Sequence, residues 1–448
     1  MKSYVPNTLK EREAMLKVVG VDSVEELFRD VPEDMKKKSG LDLPHGMSEI
    51  EIRRRFLELA KKNNTDLKIF RGAGAYYHYI PALIPQLVAR SEFYTAYTPY
   101  QAEMSQGMLQ SIFEYQSLIC RLTGMDASNA SVYDGATAAA ETMGLMCSAK
   151  RKNKLLLSSG LHPEVIETVK TYAHSTGVEV VIIPLDKNGV TDVQAVRDNM
   201  EGSAGLIAAN PNFYGCIENI ETLAAAVHEA GALFAAYVNP ISLGLLKRPG
   251  DAGADIAIGD AQPMGMPLSF GGPYAGFMAC TSKLTRNLPG RIAGETVDHD
   301  GNRAFVLTLQ AREQHIRRDK ASSNICSNQM LCAIMASMYM ACMGPHGMRE
   351  VAMNCTQKAH YLAEGMSHIK GVSLRYNTPY FNEFVIDTDV DPEKLNDALK
   401  KRGFMGGLPL SRLVEGDCGM LWCVTEMNSR EDIDALLTAI EESVKEAV

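Results

Sequence analysis

The chain has 448 residues, of which 46% are hydrophobic and 22% charged. That composition excludes intrinsic disorder, collagen-like repeats and a long coiled coil. Its 45 Lys and Arg against 54 Asp and Glu give a net charge of −9, which lacks the basic footprint of a nucleic-acid binder and the polybasic face that docks on anionic lipid.

One core stops growing at roughly 250–300 residues, so two or three structural units are expected. The start, MKSYVPNTLKEREAML, is charged and has no apolar h-region, so a secretory signal is not expected. Met330–Met343 is the nearest approach to a membrane span and falls short of the ~18–20 apolar residues that one needs. The ten cysteines form no CxxC pair, and Cys120, Cys147 and Cys332 sit in apolar segments. They read as reduced, buried thiols of a soluble cytoplasmic protein.

In chain order, the first 45 residues are charged and helical, punctuated at Pro6, Pro32 and Pro44. Ser48 with Glu51 makes a capping box, and Ile52, Phe56 and Leu59 follow at helical spacing. Phe70 to Gln101 is turn-rich and dense in tyrosine. Then comes an alternation. Helices Gln106–Leu122 and Thr137–Ala149 lead to strand Lys154–Leu157, helix Pro163–Tyr172 and strand Val178–Ile183. Helix Asp192–Asn199, strand Gly205–Ala209, helix Ile220–Ala230 and strand Ala232–Val238 follow, with Asp255–Ile258 and Gly276–Cys280 as the last strands. Short apolar strands between amphipathic helices predict a mostly parallel sheet covered on both faces. After a long helix, Asn328–Met343, strand Phe384–Asp387, helix Pro392–Lys401, strand Met420–Val424 and helix Arg430–Val444 read as a smaller α+β unit. The expected organisation is an N-terminal helical arm (1–70), a large α/β domain (71–325) and a C-terminal α+β domain (326–448).

No P-loop, HExxH or GxSxG occurs, GAGAYY at Gly72 is an incomplete dinucleotide loop, and the histidines lack metal-ligand spacing, so no metal is expected. Four stretches allow either chemistry or plain structure. Asn210-Pro211 ends a buried strand, where Pro211 holds Asn210 extended and able to aim its amide into the crevice at the strands' carboxyl ends. Asp134-Gly135-Ala136-Thr137 opens an Ala-rich helix whose N-terminus suits an anion or simply packs closely. His162-Pro163 starts another helix, and the paired glycines of SFGGPYAGF permit close backbone approach. A fifth, LQAREQHIRRDKASSNICS, concentrates Arg312, His315, Arg317, Arg318 and Lys320 ahead of Ser322-Ser323-Asn324 and reads as a crevice-lining loop.

Together, YTAYTPYQAEMSQGMLQSIFEYQSLICRLTGMDASNASVYDGATAAAE (Tyr94 to Glu141) and LQAREQHIRRDKASSNICS resemble the glycine decarboxylase P-protein of the glycine cleavage system. Within that family the resemblance is to the N-terminal half of the long single-chain form, the alpha subunit (subunit 1) where the enzyme is split. It implies an aspartate-aminotransferase-like, type I pyridoxal-phosphate fold, with decarboxylation of glycine and transfer of the aminomethyl group to the lipoyl arm of H-protein. Pyridoxal phosphate needs a Schiff-base lysine and an acid facing the ring nitrogen. By the family's spacing to Gly271-Gly272-Pro273, the lysine's place falls on Gln262, and Ala232–Pro240 holds no acid, Asn239 being the nearest polar group.

The resemblance therefore implies the lysine-free half of a two-subunit enzyme, inactive alone, whose PLP-bearing partner (subunit 2) uses side chains from this chain. The candidates are Tyr97, Tyr100, Gln101 and Glu103, with Arg312, His315, Arg317 and Arg318 for the glycine carboxylate or the acidic carrier. Asp134, Thr137, His162 and Asn210 fall in the chain's own vestigial crevice. Two alternatives stay open: a transferase using an unexpected lysine, and a non-catalytic scaffold that stabilises its partner and docks H-protein.

Overall fold

The computed structural model describes residues 7–38, 43–321 and 323–447; Pro6 and Ser322 lie outside them. Two compact units divide at Asp66/Leu67. The first holds helices α1 (Leu9–Val19) and α2 (Glu49–Ala60), each opened by a complete capping box, Thr8 with Glu11 and the expected Ser48 with Glu51. Neither helix buries a residue.

In the second unit, helix α3 (Gln106–Thr123) leads to β1 (Ala127–Ser128) and then to α4 (Gly135–Lys150). Strands β2 (Lys154–Ser158), β3 (Glu179–Ile183), β4 (Gly205–Asn210), β5 (Leu233–Val238), β6 (Ile256–Asp260) and β7 (Gly276–Cys280) follow. Helices α5 (Pro163–Thr176), α6 (Val193–Asn199) and α7 (Ile220–Glu229) are the crossovers from β2 to β3, β3 to β4 and β4 to β5. They form one seven-stranded sheet in the order β1-β7-β6-β5-β4-β2-β3. Strands β2 to β6 are parallel, and β7 and β1 run antiparallel at one edge. All six residues of β4 are buried, as a strand covered on both faces requires. Helix α4 packs so closely because its Ala-rich face buries Ala138, Ala139 and Ala140.

A hairpin follows, β8 (Ile292–Val297) and β9 (Arg303–Thr308), paired antiparallel. The sequence reading ends its large sheet at Cys280 and misses this pair. Helix α8 runs from Met330 to Ser367, well beyond the expected end at Met343, with a kink at Gly344 (φ +58°). The α+β unit adds β10 (Val372–Leu374), β11 (Glu383–Thr388), α9 (Pro392–Lys401), β12 (Leu408–Pro409), β13 (Met420–Cys423) and α10 (Arg430–Ala447). Its sheet has the order β10-β11-β13-β12, all antiparallel. Trp422, Phe384, Ile433 and Ile440 centre its core. Lys68–Ile69 pairs in parallel with Phe404–Met405, so the chain enters this second unit through its C-terminal part.

The turn after β4 touches the small sheet directly. Gly215 has φ +85°, and a Cβ there would stand 2.0 Å from the Glu383 carbonyl oxygen. Backbone strain and backbone collision coincide, and neither is relieved by a rotamer change. Gly215→Ala is therefore expected to lose more than about 2 kcal/mol of stability. Chemical denaturation should show a lower midpoint at an unchanged slope; a shift under about 0.5 kcal/mol contradicts the contact.

Candidate functional site

A crevice opens at the carboxyl ends of the parallel strands, where open α/β sheets take their ligands. The cavity is about 390 Å³ and is lined by residues of the Ala73–Tyr76 strap, Asp134, His162, Asn212, Tyr237, Asp260 and Glu383.

Gln262 follows β6, between the lining residues Asp260 and Pro263, and is 1% exposed. Its Oε1 accepts from Tyr76 N at 2.9 Å, and its Nε2 donates to the carbonyls of Tyr76 and Met266, each at 2.9 Å. Gln262 thus clamps the strap, whose residues line the crevice. The strap is anchored at its other side by Glu383, which accepts from Ala73 N and from the Tyr76 hydroxyl, both at 2.7 Å.

The start of α4 is closed in the same way. Asp134 is its N-cap, accepting from Thr137 N at 2.7 Å, and Gly135 N donates to Asp260 Oδ2 at 3.0 Å. Asp260 Oδ1 accepts from Gln262 N at 2.8 Å. A Cβ at Gly135 would lie 2.2 Å from the Tyr237 hydroxyl, so that ring sits directly against the helix start. Burial pushes the Asp260 and Glu383 carboxyls up to about 7. His162 Nδ1 accepts from Glu164 N, so its Nε2–H donates to Ala73 O at 3.1 Å, and burial lowers its basicity.

Of the four crevice candidates, Asp134 and His162 line the cavity. Thr137 is buried behind the cap. The Asn210 amide is engaged elsewhere, its Oδ1 accepting from Glu218 N at 3.1 Å, and Pro211 and Asn212 reach the cavity instead. Sequence reasoning missed Asp260, Glu383, Tyr76 and Tyr237. The signal for Asp260 was present, an acid ending the apolar strand Ile256–Asp260 two residues before Gln262. Covalent pyridoxal phosphate does not fit these residues: no Lys is among those lining the crevice, and carboxyls take two of the three first-turn N–H groups that could receive phosphate.

The second group of candidates lies elsewhere. Tyr100 Oη accepts from Arg291 Nη2 at 2.9 Å, and the Arg291 guanidinium lies 4.9 Å from the Tyr100 ring centre. The His315 ring meets Tyr100 edge-on at 6.4 Å, so both sequence motifs converge here, joined by Arg291, which the sequence reading overlooked. Arg312 is committed to backbone, donating to Gly290 O at 2.7 Å and to Leu288 O. Tyr97, Gln101, Glu103, Arg317 and Arg318 are exposed.

Histidine, cysteine and glutamate do meet at one buried point, where donor atoms of His78, Cys355 and Glu426 fall within 4.8 Å. His78 Nδ1 is 2.7 Å from Glu426 Oε2. Ligands at about 2.0–2.2 Å around a tetrahedral ion stand farther apart than that, so the contact is a hydrogen-bonded pair.

A doubly covered, mostly parallel sheet with its crevice at the carboxyl edge and an appended α+β unit defines the type I pyridoxal-phosphate fold. A crystal structure of glycine decarboxylase (P-protein) of the glycine cleavage system, in inhibitor-bound form, superposes with a TM-score of 0.91 at 42% identity, covering 99% of this chain and 100% of that one. The family profile "Glycine cleavage system P-protein" matches residues 2–440, and the chain belongs to that family. Its relatives include "Probable glycine dehydrogenase (decarboxylating) subunit 1" of Desulfitobacterium hafniense, 49% identical over 445 residues, 98% of this chain and 99% of the relative. The protein of the same name from Moorella thermoacetica is 50% identical over 441 residues, with the same coverage. Among the described residues no helix is long and apolar enough to cross a membrane.

Glu383 gives a pH test. Its carboxyl titrates near 7 when folded against 4.5 as the reference value, so the native state holds a proton that the unfolded chain releases. Stability is then greatest below about pH 4 and declines as pH rises through about 7. In Glu383→Gln the amide keeps both partners, since its oxygen accepts from Ala73 N and its nitrogen donates to the rotatable Tyr76 hydroxyl. Between about pH 4 and 8 this variant should gain on the order of 2 kcal/mol relative to the parent. Parallel pH profiles of denaturation check it; identical slopes contradict the burial of a protonated acid.

Proposed function

We propose that this chain is the cofactor-free subunit of a two-subunit glycine dehydrogenase (decarboxylating). A PLP-bearing subunit 2 decarboxylates glycine and passes the aminomethyl group to lipoyl H-protein in the cytoplasm, and this chain contributes interface residues to the partner's site. The observation that carries the reading is Gln262. Its amide forms no aldimine and is bonded at both ends to the strap and the 266 backbone. Full-length similarity to proteins named subunit 1 supports the assignment.

For the contributed surface, the support is the exposed edge around Tyr100. Tyr100 accepts from Arg291 and meets the His315 ring edge-on, with Tyr97, Gln101, Glu103, Arg317 and Arg318 exposed in the same two segments. A guanidinium and an imidazole beside a phenol suit a carboxylate or an acidic carrier. Arg312, held by two carbonyls, acts as a positioning residue for this loop.

Reconstitution tests the reading. The purified chain alone should show no aldimine absorbance and no glycine–CO2 exchange, with exchange appearing when the PLP-bearing subunit is added. Exchange by the chain alone overturns it. Tyr100→Phe in the reconstituted pair should lower kcat about tenfold or more with assembly intact, the range of a lost positioned polar group. Unchanged turnover would favour the scaffold role.

A further inference from the structure

We propose that the crevice between the strap and the carboxyl ends of β4, β5 and β6 is a binding site for a small organic cation, a primary ammonium carrying neither phosphate nor carboxylate. This inference concerns the chain's own cavity and stands apart from the reading of the partner's site.

The volume, about 390 Å³, lies within the range of about 300–1,000 Å³ that small-molecule sites occupy. No Lys or Arg is among its lining residues, while four acids are, Asp134, Glu164, Asp260 and Glu383. Asp260 and Glu383 are raised by burial to about 7 and spend their oxygens on the chain, so what the cavity offers an ammonium lies with Asp134 and Glu164. The one imidazole there, His162, is held as the neutral Nε2–H tautomer by Glu164 N on one nitrogen and Ala73 O on the other.

The helix start that could attract an anion is largely spent, since only the Ala136 N–H of its first turn is without an acceptor. The Gly135 N–H at the head of α4 is given to Asp260, and the Thr137 N–H to Asp134. A phosphate entering here meets carboxyl oxygens where it needs N–H donors. An ammonium meets the opposite situation. Asp134 uses Oδ1 for its own helix cap, leaving Oδ2 for a donor from the cavity. Aromatic side chains of Tyr76, Phe213 and Tyr237 also line the cavity, and aromatic faces attract a desolvated cation within about 6 Å. Acid plus aromatic wall in a half-open cavity is a recognition chemistry for amines.

Isothermal titration of the purified full chain tests it with three matched probes: ethanolamine, its phosphate ester and ethylene glycol. One saturable site for ethanolamine is expected, with the ester and the neutral diol at least tenfold weaker. Asp134→Asn should weaken ethanolamine at least tenfold while leaving the thermal midpoint unchanged, because Asn caps a helix as well as Asp. Ala136→Leu, which fills the cavity wall without altering a charge, should abolish binding and decides the matter if the first variant unfolds. The proposal is overturned if ethanolamine does not saturate, if the phosphate ester binds as tightly, or if binding survives both variants unchanged.

Discussion

A buried amide organises this molecule. Gln262 holds Tyr76 through both its N–H and its carbonyl, and a third bond fixes Met266. Each such bond contributes about 1 kcal/mol net, and leaving one buried partner unmade costs about 1–3 kcal/mol. An ammonium has no acceptor, so a lysine here leaves the Tyr76 N–H without its partner. Clamping the strap and forming a Schiff base are therefore alternatives at this position. The clamp reaches further through the Tyr76 hydroxyl, which donates to Glu383 on the small sheet. Gly215, pressed on the Glu383 carbonyl, places the turn after β4 on the same residue. One strap thus ties the large sheet to the small one.

The second consequence is electrostatic. A helix N-terminus facing a crevice is an anion site unless its donors are taken. Here Asp260 takes one and Asp134 another, and Tyr237 presses against the glycine between them. Asp260 is buried beside Asp134, so its carboxyl keeps its proton up to about pH 7. The crevice has exchanged the electrostatics of phosphate for that of an acid.

Much of the fold was legible because it is written in period and punctuation. Apolar runs of five or six residues between capped helices mark β2 to β6, and helix starts at Asp134, Pro163 and Pro392 fall where caps predict. The hairpin β8–β9 was not, since it carries charge at Glu295 and Arg303 and one half of it is exposed. Helix α8 was cut short at Met343 because Gly-Pro normally ends a helix. Gly344 instead adopts φ +58°, and Pro345 then begins the next helical segment, where its missing N–H breaks no bond. At the site, Gln262 was singled out by its spacing to the Gly-Gly-Pro turn, while its bonds to the strap were not legible. The acid expected to face a ring nitrogen was sought in Ala232–Pro240, where none stands; Asp260, the acid that does line the crevice, ends the neighbouring strand β6. Adjacent parallel strands end at the same edge, so the search needed the strand order that only the fold supplies.

The persistence of an open crevice without the chemistry of its family has a physical reason of its own. Filling it with apolar side chains would shut away Asp134 Oδ2, which has no partner in the chain, and a buried polar atom left unpaired is costly. Asp260 and Glu383 are buried already, titrating close to neutrality. Removing the acids would in turn release the strap and the head of α4, because their N–H groups are the acids' partners. The acids that line the cavity are thus the same groups that hold the strap and the head of α4 in place.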